Sequence, residues 1–258
     1  MKRYFKIATL VLAASPFLNA MAQEKPKHED TEFYTPVPAV VTPGTTNSNA
    51  PSDAIILFDG KNLNEWINLK DNGPAKWTVH DGVFTVDKTT GNIETKRKFT
   101  NYQLHLEWQI PANITGEGQS RGNSGLFLAS IGTGDLGYEL QILDSYNNKT
   151  YTNGQAGSIY KQTTPLVNAN RKPGEWQSYD VVWTAPVFNT DGSLKSAARV
   201  TVFFNGVLIQ NNFELKGPTQ YIGQASYAKA HGASPIKLQS HGDKSEPISF
   251  RNIWLREL

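Results

Sequence analysis

The segment Tyr138-Glu139-Leu140-Gln141-Ile142-Leu143-Asp144-Ser145 sets two carboxyl groups and an amide at the spacing E-x-Q-x-x-D, a set suited to proton transfer. On a regular strand Glu139 and Gln141 share one face and Tyr138, Leu140 and Ile142 the other, so strict alternation turns Asp144 toward the core. A carboxylate there is costly. Either the strand stops before Asp144, which then joins a turn with Ser145, Asn147 and Asn148, or a β-bulge returns all three polar side chains to one face. The bulge would assemble a catalytic cluster; the turn would leave an exposed polar face.

A second polar row lies on Lys237, Gln239 and His241, which alternate with Ile236 and Leu238. His241, just before Gly242, is placed at the rim of the surface that carries Gln239, where an imidazole paired with a carboxylate acts as a base near neutral pH. Arg121 and Asn123, in Arg121-Gly122-Asn123-Ser124-Gly125, and Tyr160 and Lys161, in Gly157-Ser158-Ile159-Tyr160-Lys161, are candidate ligand contacts. Turn chemistry accounts for Arg121 and Asn123 equally well, and a strand-end Tyr is commonly structural. Glu139, Asp144 and His241 are also hard or borderline metal ligands, so a divalent cation is a candidate cofactor. No H-x-H or H-x-x-x-H spacing strengthens that reading, and no cofactor is certain.

The elements that must carry these residues are strands. Leu104, Leu106, Trp108 and Ile110 alternate with Gln103, His105, Glu107 and Gln109; Val200, Val202 and Phe204 alternate with Arg199, Thr201 and Phe203 before the hairpin signal Asn205-Gly206. Further strands are predicted at Trp77 to Val86 around Asp81-Gly82, Ser124 to Ala129, Tyr179 to Trp183, Val207 to Gln210 and Ile248 to Arg256. No segment after residue 23 holds a helical period for more than about two turns. The pattern predicts an all-β sandwich of two antiparallel sheets, a jelly roll whose concave sheet offers a groove for carbohydrate. Six Trp residues are numerous enough to supply stacking surfaces, although most Trp in such a fold is core.

Residues 1–22 read as a signal peptide: Lys2, Arg3 and Lys6, an apolar run from Ile7 to Leu18, then Ala20-Met21-Ala22. A periplasmic or secreted protein without a membrane span is expected. The 258-residue chain has no Cys, which excludes disulfides, thiolate metal sites and a Cys nucleophile. Its formal charge of +2 includes Lys2, Arg3 and Lys6, and becomes −1 without them, so no nucleic-acid footprint is present. Residues 23–52 are rich in Pro, Thr, Asn and Ser and read as an extended or disordered leader, and 53–258 as one catalytic domain. Gly116-Glu117-Gly118 lacks the strand and helix of a dinucleotide site, and no Gly-x-Ser-x-Gly elbow occurs.

Taken in order, Ile56-Leu57-Phe58-Asp59-Gly60-Lys61-Asn62-Leu63 with Trp66, Gly122 to Leu128, Tyr138 to Asp144, Pro173-Gly174-Glu175-Trp176, Asn205-Gly206-Val207, Leu238 to Gly242 and Phe250 to Ile253 resemble the 3-keto-disaccharide hydrolase family. The resemblance implies a concanavalin-like jelly roll and cleavage of glycosides oxidised at C3. A C3 ketone acidifies the C2 proton, so His241 or Glu139 can remove it and the enolate can expel the glycosidic oxygen, with water adding later. Glu139 or Asp144 would protonate the leaving group, and Gln141, Gln239, Asn123, Lys161 or Arg121 would stabilise the enolate. A separate sugar oxidoreductase must then supply the ketone. Many members of the family carry an acid where Ser240 stands, and here the His241-Gly242 turn is followed by the longer stretch Asp243-Lys244-Ser245-Glu246-Pro247. Two other functions fit the same surface: a retaining glycoside hydrolase on unoxidised β-glucans, which needs paired carboxyls about 5 Å apart, and a non-catalytic carbohydrate-binding module.

Overall fold

The computed structural model describes residues 25–258, so the proposed signal peptide lies outside the described residues. Residues 25–40 contain one 3-10 turn, His28–Thr31, and residues 41–258 form a separate compact unit. The first strands of that unit are β1 (Ile55–Phe58), β2 (Trp66–Asn68), β3 (Thr78–His80), β4 (Val83–Thr85) and β5 (Ile93–Thr95). There follow β6 (Tyr102–Gln109), β7 (Ser124–Ser130), β8 (Gly137–Ile142), β9 (Trp176–Thr184) and β10 (Val187–Phe188). The last are β11 (Leu194–Ser196), β12 (Arg199–Phe204), β13 (Val207–Glu214), β14 (Lys237–Leu238) and β15 (Ser249–Glu257).

Eight strands make the larger sheet, in the order β13-β12-β9-β6-β15-β4-β3 with β1 also paired to β15; five make the smaller, β2-β5-β14-β7-β8. All pairings are antiparallel, and β10 and β11 form a ribbon of their own. The fold is the all-β sandwich of two antiparallel sheets that the alternation predicts and the jelly roll that the resemblance implies. Asn205-Gly206 and Asp81-Gly82 turn their hairpins with both residues at positive φ, as a two-residue turn matched to strand twist requires.

The inner faces enclose one apolar core that includes Leu104, Leu106 and Trp108 of β6, Tyr138, Leu140 and Ile142 of β8, and Val200, Val202 and Phe204 of β12. Two buried tyrosines cross this core. Tyr102 donates to the Leu128 carbonyl at 2.6 Å and Tyr179 to the Gln141 carbonyl at 2.7 Å, so the larger sheet fixes the backbones of β7 and β8. Part of the proposed leader belongs to the same unit: the Ser48 carbonyl accepts from Asn252 at 2.8 Å and Trp254 at 2.9 Å.

The outer face of the larger sheet buries an ionic cluster. His105 Nδ1 lies 2.7 Å from Asp180, its Nε2 lies 3.5 Å from Glu107, and its ring stacks on Trp254; Arg251 donates to Glu107 at 2.6 Å. Burial opposes the imidazolium, but hydrogen bonds to Asp180 and Glu107 outweigh it and lift His105 to about 9. Because His105 holds its proton in the folded chain up to about 9 and releases it near 6.5 when unfolded, this pairing stabilises fully below about pH 6.5 and is lost as pH rises through about 9. Thermal unfolding should therefore shift to lower temperature across that window, and His105→Gln should flatten the slope. An unchanged slope in the variant would remove His105 from the account.

Candidate functional site

The site lies on the outer face of the smaller sheet and follows from register. Lys237 of β14 pairs with Phe127 of β7, and Phe127 with Glu139 of β8, which sets these three side chains in one row. One step along the strands, Gln239 donates its backbone N–H to Gly125, and Gly125 pairs with Gln141. The following step brings His241 beside Asn123. Gly125 is the centre of this grid and has no side chain. A cleft of about 150 Å³ opens there, lined by Asn123, Asp135, Glu139, Gln141, Tyr160, Thr219, Tyr221, Gln239 and His241.

A Cβ on Gly125 would lie 2.6 Å from Glu139 Oε1, so glycine is what allows the carboxyl to rest over β7. Gly125→Ala should displace Glu139 and lower turnover by about a hundredfold, the scale of a roughly 1 Å misplacement. Its melting temperature should stay near that of the parent, because the flexible end of one side chain is what must move. Normal turnover in the folded variant would show that the position of Glu139 does not matter.

Glu139 is buried, and burial pushes its carboxyl up to about 8, with Asp135 adding to the shift and Lys237 opposing it. Near neutral pH this acid keeps its proton. Gln141 points its amide nitrogen at Glu139 Oε1 (3.1 Å) and the Ser124 carbonyl (2.9 Å), since the opposite orientation would set its oxygen against two acceptors. Lys237 is fully buried; its Nζ donates to the carbonyls of Gly134 (2.9 Å) and Leu136 (2.7 Å) and lies 4.4 Å over the Phe127 ring. It thereby pins the loop that carries Asp135. Burial draws Lys237 down to about 8 while Asp135, Glu94 and Glu139 pull it back up.

His241 Nδ1 lies 2.8 Å from Asp243 Oδ2. With Nδ1 turned to the Asp243 carboxylate, Nε2 is the ring nitrogen on the cleft side, where the Asn123 amide N–H approaches it at 3.5 Å. Burial works against the Asp243 carboxylate, but hydrogen bonds from His241, Ser245 and Lys88 hold it well below the ordinary range. Lys88 reaches Asp243 Oδ1 at 3.1 Å and the Ser245 carbonyl at 2.8 Å, tying the loop after β4 to the loop after β14. Gln239 lines the cleft with its Oε1 buried and without a hydrogen-bond partner among the described residues, as an atom reserved for a ligand would be.

Of the residues singled out in the sequence, Glu139, Gln141, His241, Asn123, Gln239 and Tyr160 come together in the cleft. Asp144, Arg121 and Lys161 do not line it. The strand β8 ends before Asp144, as the turn alternative expects, and the bulged catalytic cluster does not form, but the polar face is buried and not exposed as that alternative had it. Asp144 is fully buried, accepts from Arg121 Nε at 2.6 Å and caps the Tyr146 N–H at 3.0 Å; this ion pair holds the 118–122 loop to the end of the site strand. Lys161 Nζ donates to the Tyr221 carbonyl at 2.6 Å. None of the six Trp residues lines the cleft, whose aromatic walls are Tyr160 and Tyr221. Asp135, Thr219 and Tyr221 lie on loops without periodicity, and the orienting acid Asp243 follows His241 by two residues, a spacing that could have marked it. No group of three or more His, Asp or Glu side chains suited to a metal ion occurs among the described residues. Glu139 and His241 share the cleft, whereas the third candidate ligand, Asp144, is spent on Arg121.

Fold and cleft together define a jelly-roll domain with two carboxyls, an imidazole and several amides around a cleft of about 150 Å³. Residues 53–256 match the 3-keto-alpha-glucoside-1,2-lyase-like domain, and the chain belongs to that family. The family places it among carbohydrate-active proteins. It is similar to the 3-keto-disaccharide hydrolase of Bacteroides thetaiotaomicron, with 28% identity over 245 residues that cover 81% of this chain and 80% of the relative. A crystal structure from Parabacteroides distasonis, provisionally described as a glycosyl hydrolase, is 59% identical and superposes with a TM-score of 0.83, covering 90% of this chain and 97% of that one. A second structure from that organism, at 19% identity and a TM-score of 0.60 over 85% of this chain and 100% of its own, shares the fold.

Proposed function

We propose that the chain cleaves the glycosidic bond of 3-keto-glycosides by elimination across C1 and C2, followed by hydration. The observation that supports this most is the pairing, in one cleft, of a carboxyl that keeps its proton to about pH 8 with an imidazole whose Nε2 faces the same space. A proton donor and a proton acceptor facing the same space are what a stepwise elimination uses. His241 Nε2 takes the proton from C2, and the C–H electrons pass into the C3 carbonyl as an enolate. Asp243 stabilises the imidazolium that results. The enolate then collapses to form the C1–C2 double bond, the C1–O bond breaks, and the leaving oxygen takes the proton of Glu139. In the second half Glu139, now a carboxylate, draws a proton from water as the water oxygen adds to C1, and His241 returns a proton to C2. Gln239 and Asn123 are the amides placed to hold the sugar hydroxyls and the enolate oxygen, while Gln141 holds Glu139 in place.

The ketone has to be made beforehand by a separate sugar oxidoreductase, since this sequence carries no dinucleotide fingerprint. The carboxyl pair that the E-x-Q-x-x-D spacing would give a retaining glycosidase does not form, because Asp144 is buried against Arg121 and does not line the cleft. A module that only grips sugar has no use for a buried carboxyl held in its protonated form at a cost to folding. The purified protein, assayed on a 3-keto-glucoside beside its unoxidised parent, should cleave the first and leave the second intact. Cleavage of the unoxidised glycoside alone would transfer the site to ordinary hydrolysis, and binding of sugar without turnover would make it a module.

A further inference from the structure

We infer that Tyr221, which lines the cleft, is a stacking platform for the sugar ring of the leaving group. The inference rests on the functional reading above for the direction of the substrate, and on the following geometry for the platform.

Tyr221 lines the cleft yet is 71% exposed, and the neighbouring Ile222 is 83% exposed. A large aromatic left in water on a loop is ordinarily mobile, but this one is held from below. Lys161 Nζ donates to its backbone carbonyl at 2.6 Å and lies 4.2 Å from its ring centroid, so one face of the ring is covered and the other stays open. Lys161 itself adopts φ +59, an uncommon left-handed conformation for a residue with a Cβ, and strain of that kind persists where surrounding structure fixes it. At the base of the loop Thr219 donates its N–H to the Gly137 carbonyl at 2.7 Å and accepts the Glu139 N–H on its hydroxyl at 3.1 Å. The platform is thus built on the strand that carries the proposed acid. A flat C–H face of a pyranose fits one open aromatic face with little ordering cost, because the ring is already positioned.

The test compares Tyr221→Ala, Tyr221→Phe and the parent on two 3-keto-glucosides that differ only in leaving group, a methyl glycoside and a disaccharide. Tyr221→Ala should lower kcat/KM for the disaccharide by about tenfold more than for the methyl glycoside, the scale of one aromatic contact. Tyr221→Phe should behave as the parent on both, since the ring and not the hydroxyl makes the contact. Equal losses on both substrates, or none on either, would overturn the platform. Titration of the same two sugars onto each protein, followed by calorimetry, separates this failure from that of the functional reading. A parent that turns over neither sugar but binds the disaccharide more tightly through Tyr221 keeps the platform and loses the elimination. Binding with no preference dependent on Tyr221 loses the platform.

Discussion

Glu139→Gln should lower turnover of a 3-keto-glucoside by at least about a hundredfold, the usual scale of lost acid-base catalysis, while the sandwich stays folded. The amide keeps the shape of the side chain and its contact with Gln141, but it has no proton to give to a departing sugar oxygen. Two pH effects accompany the substitution. In the parent, kcat should fall as pH rises through about 8, where the acid loses its proton, and the variant should lack that limb. Stability gives a second readout. Folded Glu139 holds its proton to about 8 and unfolded Glu139 releases it near 4.5, so the folded state binds the extra proton and stability declines as pH rises between these values. The substitution should remove that decline, leaving the variant at least as stable as the parent at neutral pH. A folded Glu139→Gln protein with near-normal turnover would exclude Glu139 as the acid.

His241→Ala should cost at least about a hundredfold as well, because it removes the proposed base. The sharper variant is Asp243→Asn. An amide in place of the carboxylate can donate to Nδ1, which moves the ring proton to Nε2 and turns the base away from its task. Turnover should fall by about a hundredfold with KM little changed, since the sugar is gripped by the amides of Asn123 and Gln239. Ser240→Ala, by contrast, should stay within about twofold: the Ser240 hydroxyl is buried without a hydrogen-bond partner among the described residues, and the acid that orients the imidazole stands at Asp243. The reverse pattern, a silent Asp243 and a costly Ser240, would show that position 240 retains the role suggested for it by the family pattern.

Why some of this was legible in the sequence and some was not comes down to range. The alternation at β6, β8 and β12 and the two Asn-Gly and Asp-Gly turns are local signals, and they carried the sandwich and the polar face of Glu139 and Gln141. Whether Asp144 stays on that face depends on where β8 stops pairing, and Arg121, 23 residues away, offers the partner that settles it. Parity alone left both outcomes open. The hollow at Gly125 was equally hidden, because it arises from three strands in register and is a property of what is missing at the central position. Tyr221 and Asp135 come from loops, where spacing predicts nothing and only the folded chain brings them to the cleft.

The most direct test of the account is the fate of the hydrogen at C2. A 3-keto-glucoside is cleaved in D2O beside an enzyme-free control, and the 3-keto product is read by NMR. Removal of the proton by His241, whose side chain is 35% exposed and so exchanges with solvent, followed by its return, predicts a product carrying deuterium at C2 at a rate that tracks cleavage. Cleavage that leaves the original hydrogen at C2 in the product would contradict elimination and return the site to direct displacement at C1.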